Sequence, residues 1–278
     1  MKKIITLVLG TVLAMISLAQ SHAIKVDVNG SGLPVLFLPG FACSGSVWNE
    51  TVANLNTGFQ AHVVTYAGFD NVPAIDMPWY QALKEALVTH IKSLNSPQVY
   101  IVGHSMGGNL ATDLAIALPD KVSKILLVDA IPCMRELMMP GVSADMIAYD
   151  APYNQQMLNM DSAAQRKYAN MMATNMTNSR AGEDSICKWM MMADRETFVY
   201  GYVDLLKLDL RDKLPNIKAD VLILGASFPS KEVVQANYEK QYANLPKKEI
   251  KFADNSKHFI MYDAPDWFYE QTNTFLRK

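Results

Sequence analysis

The sequence predicts a doubly wound α/β fold: a mostly parallel sheet with helices on both faces and an inserted helical cap. Three observations carry that expectation. Short apolar runs alternate with segments of helical spacing along most of the chain, as strands joined by crossover helices do. One run, Val99-Tyr100-Ile101-Val102, leads through Gly103-His104-Ser105-Met106-Gly107-Gly108 into a helical pattern, Asn109 to Leu118. Between Ile131 and Pro215 the strand signal stops, and 12 of the 17 methionines fall between Met134 and Met192.

The first residues read as a targeting segment rather than as fold. Met1-Lys2-Lys3 is basic, Ile4 to Leu18 is almost wholly apolar, and Ser21-His22-Ala23 places small residues at the cleavage-determining positions. This is the pattern of a secretory signal peptide spanning residues 1–23. The apolar stretch is shorter than the roughly 20 residues a spanning helix needs. No cysteine near the cleavage region offers a lipid attachment point. The expectation is an exported protein, periplasmic or secreted, with no stable membrane anchor once the peptide is removed. Loss of Lys2 and Lys3 would take the formal net charge from -2 to -4.

Strands are expected at Ile24–Val28, Val35–Leu38, Ala61–Tyr66, Val99–Val102, Ile125–Val128, Val221–Leu224 and Glu249–Phe252. Trp79 to Leu94 has Leu83, Leu87 and Ile91 on one helical face. Trp267 to Leu276 is the closing helix. The core is then residues 24–130 and 216–278, with residues 131–215 as the cap. Methionine adapts to irregular apolar shapes, so the cap suits either an apolar substrate pocket or the filling between cap and core. No basic cluster points to nucleic acid. Cys43, Cys133 and Cys187 allow one disulfide and leave one thiol over. None has metal-ligand spacing with a histidine, so no metal site is read.

The turn at 103–108 is where chemistry is expected. A G-x-S-x-G between strand and helix holds its serine on a sharp, strained turn, a nucleophile elbow. Gly103 and Gly107 flank Ser105 where side chains would collide. Serine needs a base. His62 lies in a predicted strand and His90 on the helix of Leu83 and Leu87. His104 should point away from the site on so sharp a turn. His258 follows the last strand and the loop Asp254-Asn255-Ser256-Lys257, at the carboxyl edge where sites gather. His258 is therefore the candidate base. The acid that orients it is expected at Asp129, at the end of a strand, with Glu232 and Asp254 as alternatives. The oxyanion donors are expected to be the backbone N–H groups of Met106 and Phe41.

The chain resembles the α/β-hydrolase superfamily over nearly all of its mature length. The resemblance rests on Leu38-Pro39-Gly40-Phe41, the 103–108 turn, Leu127-Val128-Asp129-Ala130, and Lys257-His258 through Asp263-Ala264-Pro265. Two departures stand out. Many members have His-Gly in place of Pro39-Gly40. Many carry the acid in a Gly-x-x-Asp turn, where this chain reads Gly225-Ala226-Ser227-Phe228. The resemblance implies the fold and hydrolysis but does not fix the substrate. The expectation is a serine hydrolase acting on a small carboxylic ester or related acyl compound, with no metal or organic cofactor; the preference for an apolar group rests only on the methionine-rich cap. C–C bond hydrolysis or amide cleavage on the same fold are alternatives. So is a non-catalytic binding protein that keeps the fold, favoured only by the missing aspartate after Leu224.

Overall fold

The computed structural model describes residues 23–277. The signal-peptide expectation lies outside these residues, apart from Ala23. Seven strands form one sheet: β1 (Ile24–Gly30), β2 (Leu33–Leu38), β3 (Phe59–Tyr66), β4 (Val99–His104), β5 (Val122–Val128), β6 (Asp220–Gly225) and β7 (Glu249–Phe252). Their order is β1-β3-β2-β4-β5-β6-β7. β1 runs antiparallel to β3, and every other pairing is parallel. Every predicted strand is present. Six extend beyond the apolar run that announced them, because strand pairing continues into flanking residues that the run does not include.

β4 and β5 are mostly apolar and buried on both faces, as parallel strands between helical layers are. The helices are α1 (Asn49–Ala53), α2 (Trp79–Ser93), α3 (Met106–Ala117), α4 (Met134–Met138), α5 (Pro152–Leu158), α6 (Ser162–Met176), α7 (Arg180–Met192), α8 (Arg195–Lys207), α9 (Lys231–Gln241), α10 (Ile260–Asp263) and α11 (Pro265–Arg277). Helices α4 to α8 lie between β5 and β6, and no strand occurs there among the described residues. None of the described helices is long and apolar enough to cross a membrane.

Polar residues set the starts of the long cap helices. Asp161 accepts from Ala164 N at 2.8 Å, Ser179 from Gly182 N at 3.2 Å, and Asp194 from Thr197 N at 2.8 Å. Each satisfies an N–H that the first helical turn leaves unpaired. The far ends differ. α11 closes on Lys124, a lysine buried in β5. Its Nζ donates to the carbonyls of Phe275 and Leu276 at 3.0 and 3.2 Å and lies 4.8 Å from the centroid of the Tyr100 ring. A cation at a helix C-terminus meets both the unpaired carbonyls and the negative end of the dipole.

The sheet order positions the site. From β2 the chain steps outward to β3, then returns past β2 to β4. Loops leaving the carboxyl ends of β2 and β4 therefore diverge and open a crevice. Pro39-Gly40-Phe41 follows β2 and Ser105 follows β4.

Replacing Lys124 by methionine should keep the volume but strand two carbonyls under the sheet. The expected cost is about 2–3 kcal/mol, on the scale of hydrogen bonds to a charged group. Urea denaturation checks this, with a lower midpoint and an unchanged slope.

Candidate active site

Ser105 sits at φ 53°, ψ -121° between β4 and α3. A non-glycine residue there is strained by about 1–3 kcal/mol and persists only where its surroundings fix it. They do so by close packing. A Cβ on Gly107 would lie 2.2 Å from Leu38 O, and one on Gly103 would lie 2.2 Å from Gly107 O. Ser105 N donates to Val128 O at 2.9 Å, and Ser105 O accepts from Gly108 N at 2.8 Å. The turn is thus wedged between the ends of β2 and β5.

Asp129 is the first residue past β5, also in the left-handed region at φ 42°. Its N–H donates to Leu224 O at 2.7 Å. Its carboxylate divides its work. Oδ2 lies 2.6 Å from His258 Nδ1. Oδ1 accepts from Ala226 N at 2.9 Å and from the Tyr238 hydroxyl at 2.8 Å. Burial pushes this acid upward, but the bonds from His258, Ala226 and Tyr238 outweigh it and hold Asp129 below the usual range. Burial, and then the charge on Asp129, pushes the Tyr238 phenol well above its ordinary value. It therefore donates at any ordinary pH. The alternatives lie elsewhere: Asp254 pairs with Lys231 Nζ at 3.0 Å, and Glu232 is exposed on the first turn of α9.

His104 differs from the expectation that it would point away. Its ring lines the same cavity as Ser105 and His258, with its centroid 4.5 Å from that of His258. The reason is the turn of β4 into α3, which presents two consecutive residues to the crevice. His104 Nε2 is 3.0 Å from His258 O. A carbonyl only accepts, so the proton is on Nε2. Burial, and then the charge on His258, lowers His104 to about 3, so the ring is neutral. Among the described residues its buried Nδ1 has no hydrogen-bond partner, and a Cβ on Gly40 would come within 2.9 Å of it. His62 and His90 pair with each other, Nδ1 to Nε2 at 3.1 Å. Burial, and then the charge on His90, lowers His62 to about 4.

Phe41 is held by rings on four sides. Its centroid lies 5.2–5.7 Å from those of Phe69, Trp79, Phe198 and Tyr202. Among the described residues no carbonyl accepts from the backbone N–H of Phe41 or Met106. Two free N–H groups on rigid turns are the kind of donors a developing oxyanion requires.

These residues open into a cavity of about 160 Å³. Its floor is Gly40 to Cys43, His104, Ser105 and His258, and its roof comes from the cap. Met134, Met157, Met172, Met176 and Met190 all reach it. The other seven cap methionines do not. No Asp, Glu, Lys or Arg lines it. All three cysteines are free and buried, and only Cys43 reaches the cavity.

The model of the alpha/beta hydrolase family matches residues 35–271. The chain belongs to this family. Among relatives of this alpha/beta hydrolase, the pimeloyl-[acyl-carrier protein] methyl ester esterase of Aeromonas hydrophila is 22% identical over 265 residues. That match covers 86% of this chain and 99% of the relative. The esterase EaEST from Exiguobacterium antarcticum superposes with a TM-score of 0.76 at 19% identity, covering 92% of this chain and 98% of that one. The enol-lactonase from Burkholderia xenovorans LB400 gives 0.75 at 15% identity, covering 92% and 96%. These structural likenesses show the shared fold.

Tyr238 had no signal in the sequence, because its helix begins about a hundred residues after Asp129. Tyr238→Phe should cost about 1–3 kcal/mol at pH 7, where the ionised carboxylate loses a donor. Asp129 is depressed in the folded state, so its stabilisation is present above its unfolded value and lost as pH falls. The gap between wild type and variant should therefore close below about pH 4. Thermal melts from pH 3 to 7 check this.

Proposed function

We propose that the protein is an exported serine hydrolase that cleaves small, uncharged carboxylic esters through an acyl-enzyme. The observation that carries the reading is the alignment of Asp129 on His258 Nδ1 at 2.6 Å, beside a strained Ser105 in the same cavity. Asp129 fixes the imidazole with Nδ1 protonated, which leaves Nε2 to take the Ser105 proton. Ser105 Oγ attacks the ester carbonyl, and the oxygen that becomes negative is met by the Phe41 and Met106 N–H groups. The C–O bond to the alcohol breaks as His258 returns its proton to the leaving oxygen. Water then enters, gives a proton to His258 and its oxygen to the acyl carbon, and Ser105 is released as the acid departs.

The reading is supported further by the esterase relatives. It also answers the one feature that favoured a binding protein, the missing aspartate after Leu224. Asp129 reaches across from β5 to Ala226 N, at the strand end where that aspartate would stand. Substrate chemistry follows from the walls. A cavity of about this size admits a benzene ring or a short chain, and no lysine or arginine lines it to neutralise a buried carboxylate. Export rests on the lysines, apolar run and small residues before Ile24. N-terminal sequencing of the protein from its native host should read Ile24 first.

Fluorophosphonate labelling, mapped by mass spectrometry, is expected at Ser105 and lost in Ser105→Ala and His258→Ala. Asp129→Asn should lower kcat by about 10⁴-fold, as a wrong tautomer does. A folded wild type that does not label would overturn the hydrolase mechanism. Among p-nitrophenyl esters, butyrate should exceed hemisuccinate in kcat/KM by about 100-fold or more, since the second carries an unpaired charge into the cavity. Equal rates would remove the apolar-substrate reading and leave the mechanism standing.

A further inference from the structure

His258 stands on a backbone clamped on both sides, and both clamps lead into the cap. The residue before it, Lys257, donates its N–H to Asp263 Oδ2 at 2.8 Å. The residue after it, Phe259, donates its N–H to Met176 O at 3.0 Å. Met176 ends α6, and its side chain lines the cavity. The other oxygen of Asp263, Oδ1, accepts from the Thr177 hydroxyl at 2.5 Å and from Asn178 N at 2.8 Å. Thr177 is fully buried, at the joint between α6 and α7. Two more bonds join the same segments: Asn178 Nδ2 to Asn255 O at 2.9 Å and Lys257 Nζ to Thr174 O at 2.7 Å.

The joint at 176–178 is where two cavity walls meet. α6 supplies Tyr168, Met172 and Met176, and α7 supplies Ile186, Trp189 and Met190. Any displacement of these helices by an acyl group is felt at the joint. The Asp263 carboxylate is bonded at once to that joint and to the residue preceding the base. A half-buried carboxylate shared by two segments links their positions, because its two oxygens are held in one rigid plane, Oδ1 by the joint and Oδ2 by Lys257 N–H.

We propose that Asp263 is a positioning residue that couples the cap walls to His258, so that the joint at Thr177 sets the alignment of the base against Ser105. The inference rests on the serine hydrolase reading above. Asp263 touches neither substrate nor the reacting atoms in this arrangement. Its effect is on how much of the time His258 stands where it can take the proton. Loss of the coupling therefore lowers kcat and leaves KM nearly unchanged. A residue that merely supported the fold would lower the melting temperature and leave turnover of the folded fraction alone.

The test uses the full mature chain with p-nitrophenyl butyrate, well below the melting temperature, on Asp263→Asn, Thr177→Val and the double variant. Asp263→Asn keeps the shape but presents an amide donor to donors. It is expected to lower kcat about tenfold, with KM within twofold. Thr177→Val removes a single hydroxyl in the cap and should lower kcat about threefold. The double variant should be no slower than Asp263→Asn alone, since both act through one link. The rate of fluorophosphonate labelling at Ser105 should fall by the same factors. An unchanged kcat in Thr177→Val overturns the coupling even if Asp263→Asn fails to fold. Additive losses in the double variant overturn it as well. A wild type that does not label at Ser105 instead overturns the underlying reading, and this inference with it.

Discussion

One carboxylate ties the catalytic edge together. Asp129 joins the end of β5 to the end of β6 through Ala226 N, to α9 through Tyr238, and to the loop after β7 through His258. A buried carboxylate with three donors is stable as an anion, and its demands fix the position of each donor. The left-handed backbone at Asp129 follows from this. Only by folding back over β6 does its N–H reach Leu224 O while its side chain spans the strand end. The chain thereby holds the His258 ring from the end of β5.

The sheet was legible because parallel strands buried on both faces must be written as apolar runs, as Ile125 to Val128 is. The elbow was legible because its strain demands glycine at 103 and 107. His258 was singled out by its place after the last strand, and the structure puts it in one cavity with Ser105. These are local facts: one run, one turn, one loop. The cap was legible only as a change of texture. Its helices are amphipathic against a cavity, and a wall lined by five methionines looks in sequence like any apolar helix face.

What could not be read was long-range hydrogen bonding. Tyr238 and Asp263 carry ordinary positions in their own helices, and each matters through a partner about ninety or more residues away. His104 was misplaced for a related reason. A side chain beside a strained turn was expected to point away, yet the crevice between β2 and β4 is wide enough to take two neighbours. Gly40 makes the room, since a Cβ there would press on the imidazole. Lys124 is a further case: it stands just ahead of the apolar run 125–128, and nothing nearby in sequence announces the carbonyls that the closing helix brings to it.

The electrostatics of the cavity bind these features into one scheme. In the proposed mechanism, ester attack creates a negative oxygen and a positive imidazole from neutral groups. In an apolar enclosure the interactions that offset this separation are stronger than in water, provided that no stray charge competes. The walls supply none, and His104, the titratable ring nearest the base, is kept neutral by burial. The countercharge is Asp129, held ionised by its own donors. On the proposed function, selection among substrates works by exclusion. Methionine walls adjust to different acyl shapes, and each methylene changes binding by only about 1–3 kcal/mol, so shape is a weak filter. On the proposed function charge is a strong one, because a carboxylate entering this cavity would meet no lysine or arginine and would oppose the anion on which the base depends.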